Sequence, residues 1–109
     1  MVVDQEGPDP DFTVTATVSD QRVLVTVTGE VDMSTADAMF HAATKDGTAR
    51  ATLDLRAVTF FDSAAIHALL RLAERYGPRL GVLASAQVRR VLEISGLAGQ
   101  PWLADDLSD

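Results

Sequence analysis

The sequence contains no cysteine. Disulfide scaffolds, thiolate zinc sites and cysteine nucleophiles are therefore excluded. No window approaches the ~20 apolar residues that a membrane-spanning helix needs. The first eleven residues contain four acidic side chains and no Lys or Arg, unlike the basic start of a secretory signal. These absences together lead us to expect a cytoplasmic protein.

Positive charge is also scarce. The chain has 9 Lys and Arg against 16 Asp and Glu, which gives a net charge of −7. Such a protein repels phosphate backbones, so we expect no nucleic-acid partner. The glycine-rich phosphate-binding motifs are missing, and His41 has no companion at metal-ligand spacing. We therefore expect neither a cofactor nor a metal ion.

The length of 109 residues fits one domain. Phe12 to Val18 and Gln21 to Thr28 alternate in polarity and are rich in β-branched residues, which predicts an antiparallel hairpin. Shorter apolar strands are predicted at 51–55 and 80–84. The acidic ends, residues 1–11 and 104–109, are expected to be flexible and to flank a domain of residues 12–103.

Three amphipathic segments are predicted to be helices. The first begins near Ser34, which forms an approximate capping box with Asp37, and the third begins at Ser85. The second begins at Asp62 or Ser63. Its predicted buried stripe consists of Ile66, Leu69, Leu70, Ala73 and Tyr76. Leu97 and Trp102 are expected to fold back over the core after the third helix.

The predicted element order is β-β-α-β-α-β-α. Strands that are separated by helices pair in parallel through right-handed crossovers. The expected fold is therefore a layered α/β sheet, mostly parallel with an N-terminal antiparallel hairpin, with helices packed on the sheet. Functional sites usually lie beyond the carboxyl ends of such strands. The segments 29–34 and 60–65 should lie there.

Ser63 is predicted to stand where a strand ends and a helix begins. A helix N-terminus gathers unpaired N–H groups and the positive end of the helix dipole, so it favours a phosphate. Phosphorylation would add about −1.5 to −2 charges beside Asp62 without unfolding the domain. The residues alone favour a simpler role, in which Asp62 and Ser63 serve only as helix caps.

Asp54 and the pair of Ser63 and His67 suggest two other kinds of chemistry. Asp54 lies in a strand between two leucines, either as a half-buried carboxylate bonded to nearby backbone or as a phosphoacceptor like that of receiver domains. Ser63 and His67 are four residues apart, which suggests a hydrolase. The Gly-x-Ser-x-Gly motif is absent, and this argues against hydrolysis.

Three segments carry a family resemblance. Gly29-Glu-Val-Asp-Met-Ser34, Leu53-Asp-Leu-Arg-Ala-Val-Thr-Phe-Phe-Asp-Ser63 and Val91-Leu-Glu-Ile-Ser-Gly-Leu97 resemble the STAS domain of bacterial anti-sigma-factor antagonists. The resemblance runs from about Phe12 to Trp102 and agrees with the predicted element order. It implies a regulatory module of transcription that is not itself an enzyme.

The resemblance also implies a partner and a switch. In that family the serine after the aspartate, here Ser63, is phosphorylated by an anti-sigma factor that is also a serine kinase. The unphosphorylated antagonist binds this kinase and frees the sigma factor. The phosphorylated form is released, and a serine phosphatase resets it. The implied partner-binding residues are Glu30, Asp32, Met33, Ser34, Asp62, Ser63, Ala64 and His67.

One position departs from the family pattern. The family usually has Gly two residues after the phosphoacceptor, and this chain has Ala65. The added methyl group leads us to expect weaker packing of the kinase at the helix start. It also keeps open an alternative, in which the domain is a small-ligand or nucleotide sensor that works without phosphorylation. The oligomeric state, monomer or weak dimer, is left open by the sequence.

Overall fold

The structure, a computed structural model, describes Val2–Val3 and residues 11–104. Most of the two predicted flexible ends, namely residue 1 and residues 4–10 and 105–109, lies outside the described residues. The strands are β1 (Val2–Val3), β2 (Phe12–Ser19), β3 (Arg22–Val31), β4 (Arg50–Phe61) and β5 (Leu80–Ala84). The α-helices are α1 (Ala36–Thr44), α2 (Ser63–Tyr76) and α3 (Ala86–Ile94), and a 3-10 turn at Gly77–Arg79 precedes β5.

The five strands form one mixed sheet in the order β1-β2-β3-β4-β5. Strand β2 pairs antiparallel with both β1 and β3, whereas β3, β4 and β5 run parallel to one another. The predicted α/β fold with its opening hairpin is confirmed. The short edge strand β1 was not predicted.

The hairpin turn is built by Asp20 and Gln21. Both have positive φ angles, 52° and 64°, the geometry that lets a two-residue link match the twist of the flanking strands. The register that follows places Val25 opposite Leu53, and Leu53 opposite Val82. All three side chains are fully buried, so they form a row across the centre of the core.

Helices cover the sheet. Helix α1 packs on β2 and β3 and against α2, while α2 and α3 each pack on β4 and β5. The backbone N–H of Val82 donates to the carbonyl of Trp102 at 2.9 Å, and Trp102 is buried as predicted. None of the described helices has the length and apolar character to cross a membrane.

Three local predictions were wrong. Thr35, and not Ser34, is the residue that precedes α1, because the Ser34 side chain bonds to Asp32 instead. Strand β4 runs to Phe61, well beyond the predicted end, through two register shifts relative to β3. On α2, Leu70 is 39% exposed, and Leu72 is buried in its place.

Candidate functional site

Two chain segments meet at the carboxyl edge of the sheet. Val31 ends β3 and lies opposite Phe61, which ends the parallel strand β4. The backbone N–H of Asp62 then donates to the carbonyl of Val31 at 3.3 Å. The loop after β3 and the start of α2 are therefore held side by side, as expected for neighbouring parallel strands.

Asp62 caps helix α2. Its backbone is extended, and its Oδ1 accepts a hydrogen bond of 3.1 Å from the backbone N–H of Ala65. Ser63 is the first residue of the helix and is exposed. Asp62 serves as the cap, so Ser63 is not needed in that role. The Ser63 hydroxyl makes no hydrogen bond within residues 11–104.

The start of α2 suits an anion. The carbonyl of Asp62 accepts from the backbone N–H of Ile66 at 3.0 Å, and the Asp62 side chain satisfies Ala65. The N–H groups of Ser63 and Ala64 have no hydrogen-bond partner within the described part of the chain. A phosphate on Ser63 would lie beside these donors and the positive end of the helix dipole.

The neighbouring loop is organised by Asp32. Its Oδ1 accepts hydrogen bonds from the backbone N–H of Ser34 at 2.9 Å and from the Ser34 hydroxyl at 2.8 Å. Thr35 lies below, 4% exposed, and its hydroxyl accepts from the backbone N–H of Asp32 and donates to the carbonyl of Glu30. The Asp32 carboxylate therefore fixes the loop shape, a role that sequence reasoning did not predict.

These hydrogen bonds also change the acidity of Asp32. The pKa of the Asp32 carboxyl is lowered, chiefly by the hydroxyl and then the backbone N–H of Ser34. The carboxylate form is therefore favoured, and the hydrogen bonds to Ser34 and Thr35 all engage its Oδ1. The loop therefore carries a fixed negative charge at the edge of the sheet where α2 begins.

Two large apolar side chains are exposed at this edge. Met33 is 83% exposed, and Phe60 is 45% exposed. Met33 lies in the loop after β3, and Phe60 pairs with Glu30 next to the start of α2. Sequence reasoning named Met33 and missed Phe60, although Phe60 precedes the buried Phe61 in a strand where neighbours face opposite sides. Apolar side chains beside acidic ones are typical of a protein-contact surface.

The alanines at the helix start face different environments. Ala65 is fully buried, whereas Ala64 is partly buried at the margin of the core. The methyl group that replaces the family glycine therefore points into the core. It is not part of the exposed surface around Ser63.

The remaining candidate residues lie around this centre. Glu30 is exposed near the end of β3, and its backbone N–H donates to the carbonyl of Asp11 at 2.7 Å. His67 is exposed one turn beyond Ser63 and lines a groove of about 690 Å³ along α2 that Trp102 borders. No hydrogen bond joins His67 to Ser63 within residues 11–104, so a serine–histidine pair of a hydrolase is not formed.

Asp54 lies apart from this edge. Its carboxylate accepts from the backbone N–H of Arg56 at 3.1 Å and from the Arg56 guanidinium at two positions of 2.9 Å. This bidentate pair engages both oxygens, as expected for the bonded carboxylate and not for a phosphoacceptor. Among the residues described, no group of three or more His, Asp or Glu could hold a metal ion.

The sequence and the fold were compared with known proteins. The family model of the STAS domain, described as "Mlab, STAS domain", matches residues 14–105. A search among curated proteins finds no match. A solved anti-sigma factor antagonist from Mycobacterium paratuberculosis is 31% identical with a TM-score of 0.75, over 93% of this chain and 92% of that one.

Two further solved structures share the fold. The anti-sigma factor antagonist SpoIIAA in its unphosphorylated form is 20% identical with a TM-score of 0.66, over 89% of each chain. The Bacillus cell fate determinant SpoIIAA in its phosphorylated form is 21% identical with a TM-score of 0.64, over 89% of this chain and 92% of that one. The family match spans most of the sequence, and the mycobacterial match spans nearly all of it. The chain therefore belongs to the STAS domain family, and within it resembles the anti-sigma factor antagonists.

Proposed function

We propose that this protein is a cytoplasmic anti-sigma-factor antagonist whose switch is Ser63. Unphosphorylated, it binds an anti-sigma factor that is also a serine kinase, and a sigma factor is freed for transcription. The kinase then transfers the γ-phosphoryl group of ATP to the Ser63 hydroxyl oxygen, which releases ADP and a proton, and the phosphorylated antagonist dissociates. A serine phosphatase restores the first form by hydrolysis. The protein itself is not an enzyme.

The observation that carries this proposal is the exposed Ser63 hydroxyl at the first residue of α2. A transferase needs to reach the oxygen, and Asp62 already performs the capping role that would otherwise occupy it. The solved antagonists with this fold include one described in a phosphorylated form. The proposal assigns the phosphoacceptor role in this chain to Ser63.

The docking surface is proposed to combine the two segments at the carboxyl edge. Asp32 and Glu30 supply negative charge for a basic face of the kinase. Met33 is an exposed apolar contact, and its flexible side chain can adapt to a partner. Ser34, Asp62, Ala64 and His67 complete the predicted contacts around Ser63.

Release follows from charge. Phosphorylation places about −1.5 to −2 charges beside the Asp62 carboxylate and near Asp32. A partner that fits the neutral hydroxyl then meets like-charge repulsion and the cost of desolvating a dianion. A loss of only ~1.4 kcal/mol weakens binding tenfold. The buried position of Ala65 supports the same reading, since its methyl group leaves the contact surface unchanged.

The phosphorylation step is tested with the cognate kinase and ATP. We expect one phosphate on the wild-type protein, which mass spectrometry of peptides maps to Ser63, and none on Ser63→Ala. The matched control is Ser95→Ala, because Ser95 is also exposed but follows α3 far along the chain. Full labelling of Ser63→Ala would disprove the switch.

The binding step is tested by pull-down with the same kinase. Ser63→Ala should be retained like the wild type, and Ser63→Asp should bind at least about tenfold more weakly because of its added charge. Met33→Ala should also weaken binding if the apolar contact is used. Equal retention of the alanine and aspartate variants would contradict a charge-driven release.

The alternative is a ligand sensor that works without phosphorylation. The groove beside α2, lined in part by Leu70, Arg71 and Trp102, is the observation that favours it. The two functions separate experimentally. A sensor would respond to its ligand through Trp102 fluorescence and would be indifferent to Ser63→Ala and to Ser63→Asp.

A further inference from the structure

Three arginines gather at the edge of the sheet opposite Ser63. Arg22 opens β3, Arg50 opens β4, and Arg79 immediately precedes β5. Because β3, β4 and β5 are parallel, their amino ends lie at one edge, and the three side chains line one cavity of about 420 Å³. This volume is within the range of small-molecule sites, roughly 300–1,000 Å³.

The backbone fixes the positions of these arginines. Arg22 lies directly opposite Arg50 in the parallel register, so both side chains leave the same face of the sheet. The Arg79 Nε donates to the carbonyl of Ala49 at 3.0 Å, which holds this guanidinium beside the start of β4. The remaining N–H groups of Arg79 stay available.

The floor of the cavity is polar and open. Thr52 lies two residues after Arg50 and lines the cavity, and its register partner is Gly81. A Cβ built on Gly81 would lie 4.0 Å from the Thr52 Oγ1, so a side chain there would occupy the space above the floor. A small ligand can therefore approach the sheet between the arginines, and the Thr52 hydroxyl can donate to it.

The arginines of this cluster have no carboxylate partner in the described part of the chain. Within residues 11–104, no carboxylate forms an ion pair with Arg22, Arg50 or Arg79, and the salt bridge found there joins Arg56 to Asp54. The chain has only 9 basic residues and a net charge of −7. Three of these residues line one cavity without an ion-paired carboxylate, so their like charges oppose one another there.

We propose that this cavity binds a phosphate-bearing anion with two or more phosphate groups. Arginine presents a planar fork of N–H donors that matches phosphate oxygens, and several arginines suit several negative charges. Free oligophosphate and the phosphate chain of a nucleotide share this chemistry. The site is independent of Ser63, because the two lie at opposite ends of β4.

The test is a titration of the full-length protein with inorganic triphosphate, without metal ions, followed by calorimetry and by amide chemical shifts. We expect saturable binding of one equivalent, with shifts concentrated at 50–52 and 79–81. The double variant Arg22→Gln with Arg50→Gln should bind at least about tenfold more weakly. Arg22→Lys with Arg50→Lys should lose less, since the charge is kept while the fork is lost.

Matched controls separate a built site from general charge. Arg90 is exposed on α3 and does not line the cavity, so Arg90→Gln should bind triphosphate like the wild type. Unchanged amide shift dispersion in each variant shows that the fold is retained. Adenosine triphosphate should compete with triphosphate, and adenosine alone should not.

Three outcomes would overturn the proposal. The first is the absence of saturable binding, and the second is an equal loss of affinity in Arg90→Gln. The third is competition by adenosine alone, which would place recognition on the base. Phosphorylation of Ser63 does not enter this experiment, so either proposal can fail without the other.

Discussion

The hydroxyl of Tyr76 donates a buried hydrogen bond of 2.6 Å to the carbonyl oxygen of Ala43. Tyr76 lies in the last turn of α2, and Ala43 lies in the last turn of α1. This bond ties together the two helices that pack against each other. It anchors the far end of the helix whose first residue is Ser63.

Tyr76→Phe removes this bond and keeps the ring. The carbonyl of Ala43 would lose its side-chain donor, so we expect a loss of about 1–2 kcal/mol in the free energy of unfolding. Urea unfolding followed by circular dichroism measures it. Binding to the kinase should be unchanged at saturating protein, because the ring still fills its place. An unfolding free energy equal to that of the wild type would show that the bond contributes nothing.

Ser63→Asp should not destabilise the domain. The residue is exposed at the first position of α2, where negative charge interacts favourably with the helix dipole. We expect the free energy of unfolding to stay the same or to rise by up to about 1 kcal/mol. Thermal unfolding of Ser63→Asp beside Ser63→Ala measures this. A clear loss of stability in the aspartate variant would mean that release reflects unfolding.

Ala65→Gly restores the family glycine and tests its role. Glycine costs about 1 kcal/mol in a helix, and the buried methyl group of Ala65 would be lost as well. We expect a less stable protein, by about 1–2 kcal/mol, whose rate of phosphorylation at Ser63 is unchanged. A rate that rises severalfold in Ala65→Gly would show that the methyl group obstructs the kinase after all.

Gly29→Ala should be strongly destabilising. Gly29 has a φ of +90°, and an added Cβ would lie 1.7 Å from the carbonyl oxygen of Asp11, which is backbone. Both the strained φ and the clash lead us to expect a loss of at least about 2 kcal/mol. Gly99→Ala is the control, because its Cβ would meet nothing within 4 Å and its φ is not positive. Similar unfolding curves for the two variants would contradict this account of Gly29.

The pair of Asp54 and Arg56 predicts a dependence on pH. The guanidinium of Arg56 lowers the pKa of the Asp54 carboxyl in the folded protein. A group with a lowered folded pKa stabilises the fold above its ordinary pKa, and this contribution is lost as the pH falls through the folded value. Because Arg56 is 56% exposed, solvent screening keeps this contribution to stability small.

Carboxyl carbon shifts followed by NMR measure the titration directly. In Arg56→Gln the Asp54 carboxyl should titrate at a higher pH than in the wild type. The acid-unfolding curve of Arg56→Gln should also lie closer to that of Asp54→Asn than to that of the wild type. An Asp54 titration unaffected by Arg56→Gln would disprove the pairing.

Sequence reasoning predicted the order of the elements because hydrophobic period and turn residues are local signals. The fifth strand Leu80–Ala84 and the cap of α3 at Ser85 agree with the structure to the residue. The predicted strand ended too early, at Leu55, whereas β4 runs on to Phe61. After Leu55 the alternation is interrupted, because Arg56 and Ala57 are both exposed. Such a register shift depends on the partner strand, which a single segment does not show.

The site was predicted in its location but not in its internal geometry. Ser34 and Thr35 are adjacent residues that could each precede α1. The Ser34 N–H and hydroxyl bind Asp32, so the helix begins after Thr35. The arginine cluster was missed because Arg22 and Arg50 are far apart in sequence. A signal did exist, since both stand at the amino end of a parallel strand.

The position of Ala65 has a consequence for how such switches diverge. Its side chain lies inside the domain, 0% exposed, directly behind the surface that a kinase would touch. Evolution can therefore tune how firmly the helix start is held without altering the face that the partner reads. Stability against heat and the choice of partner can then change independently, because they depend on different residues at the start of α2.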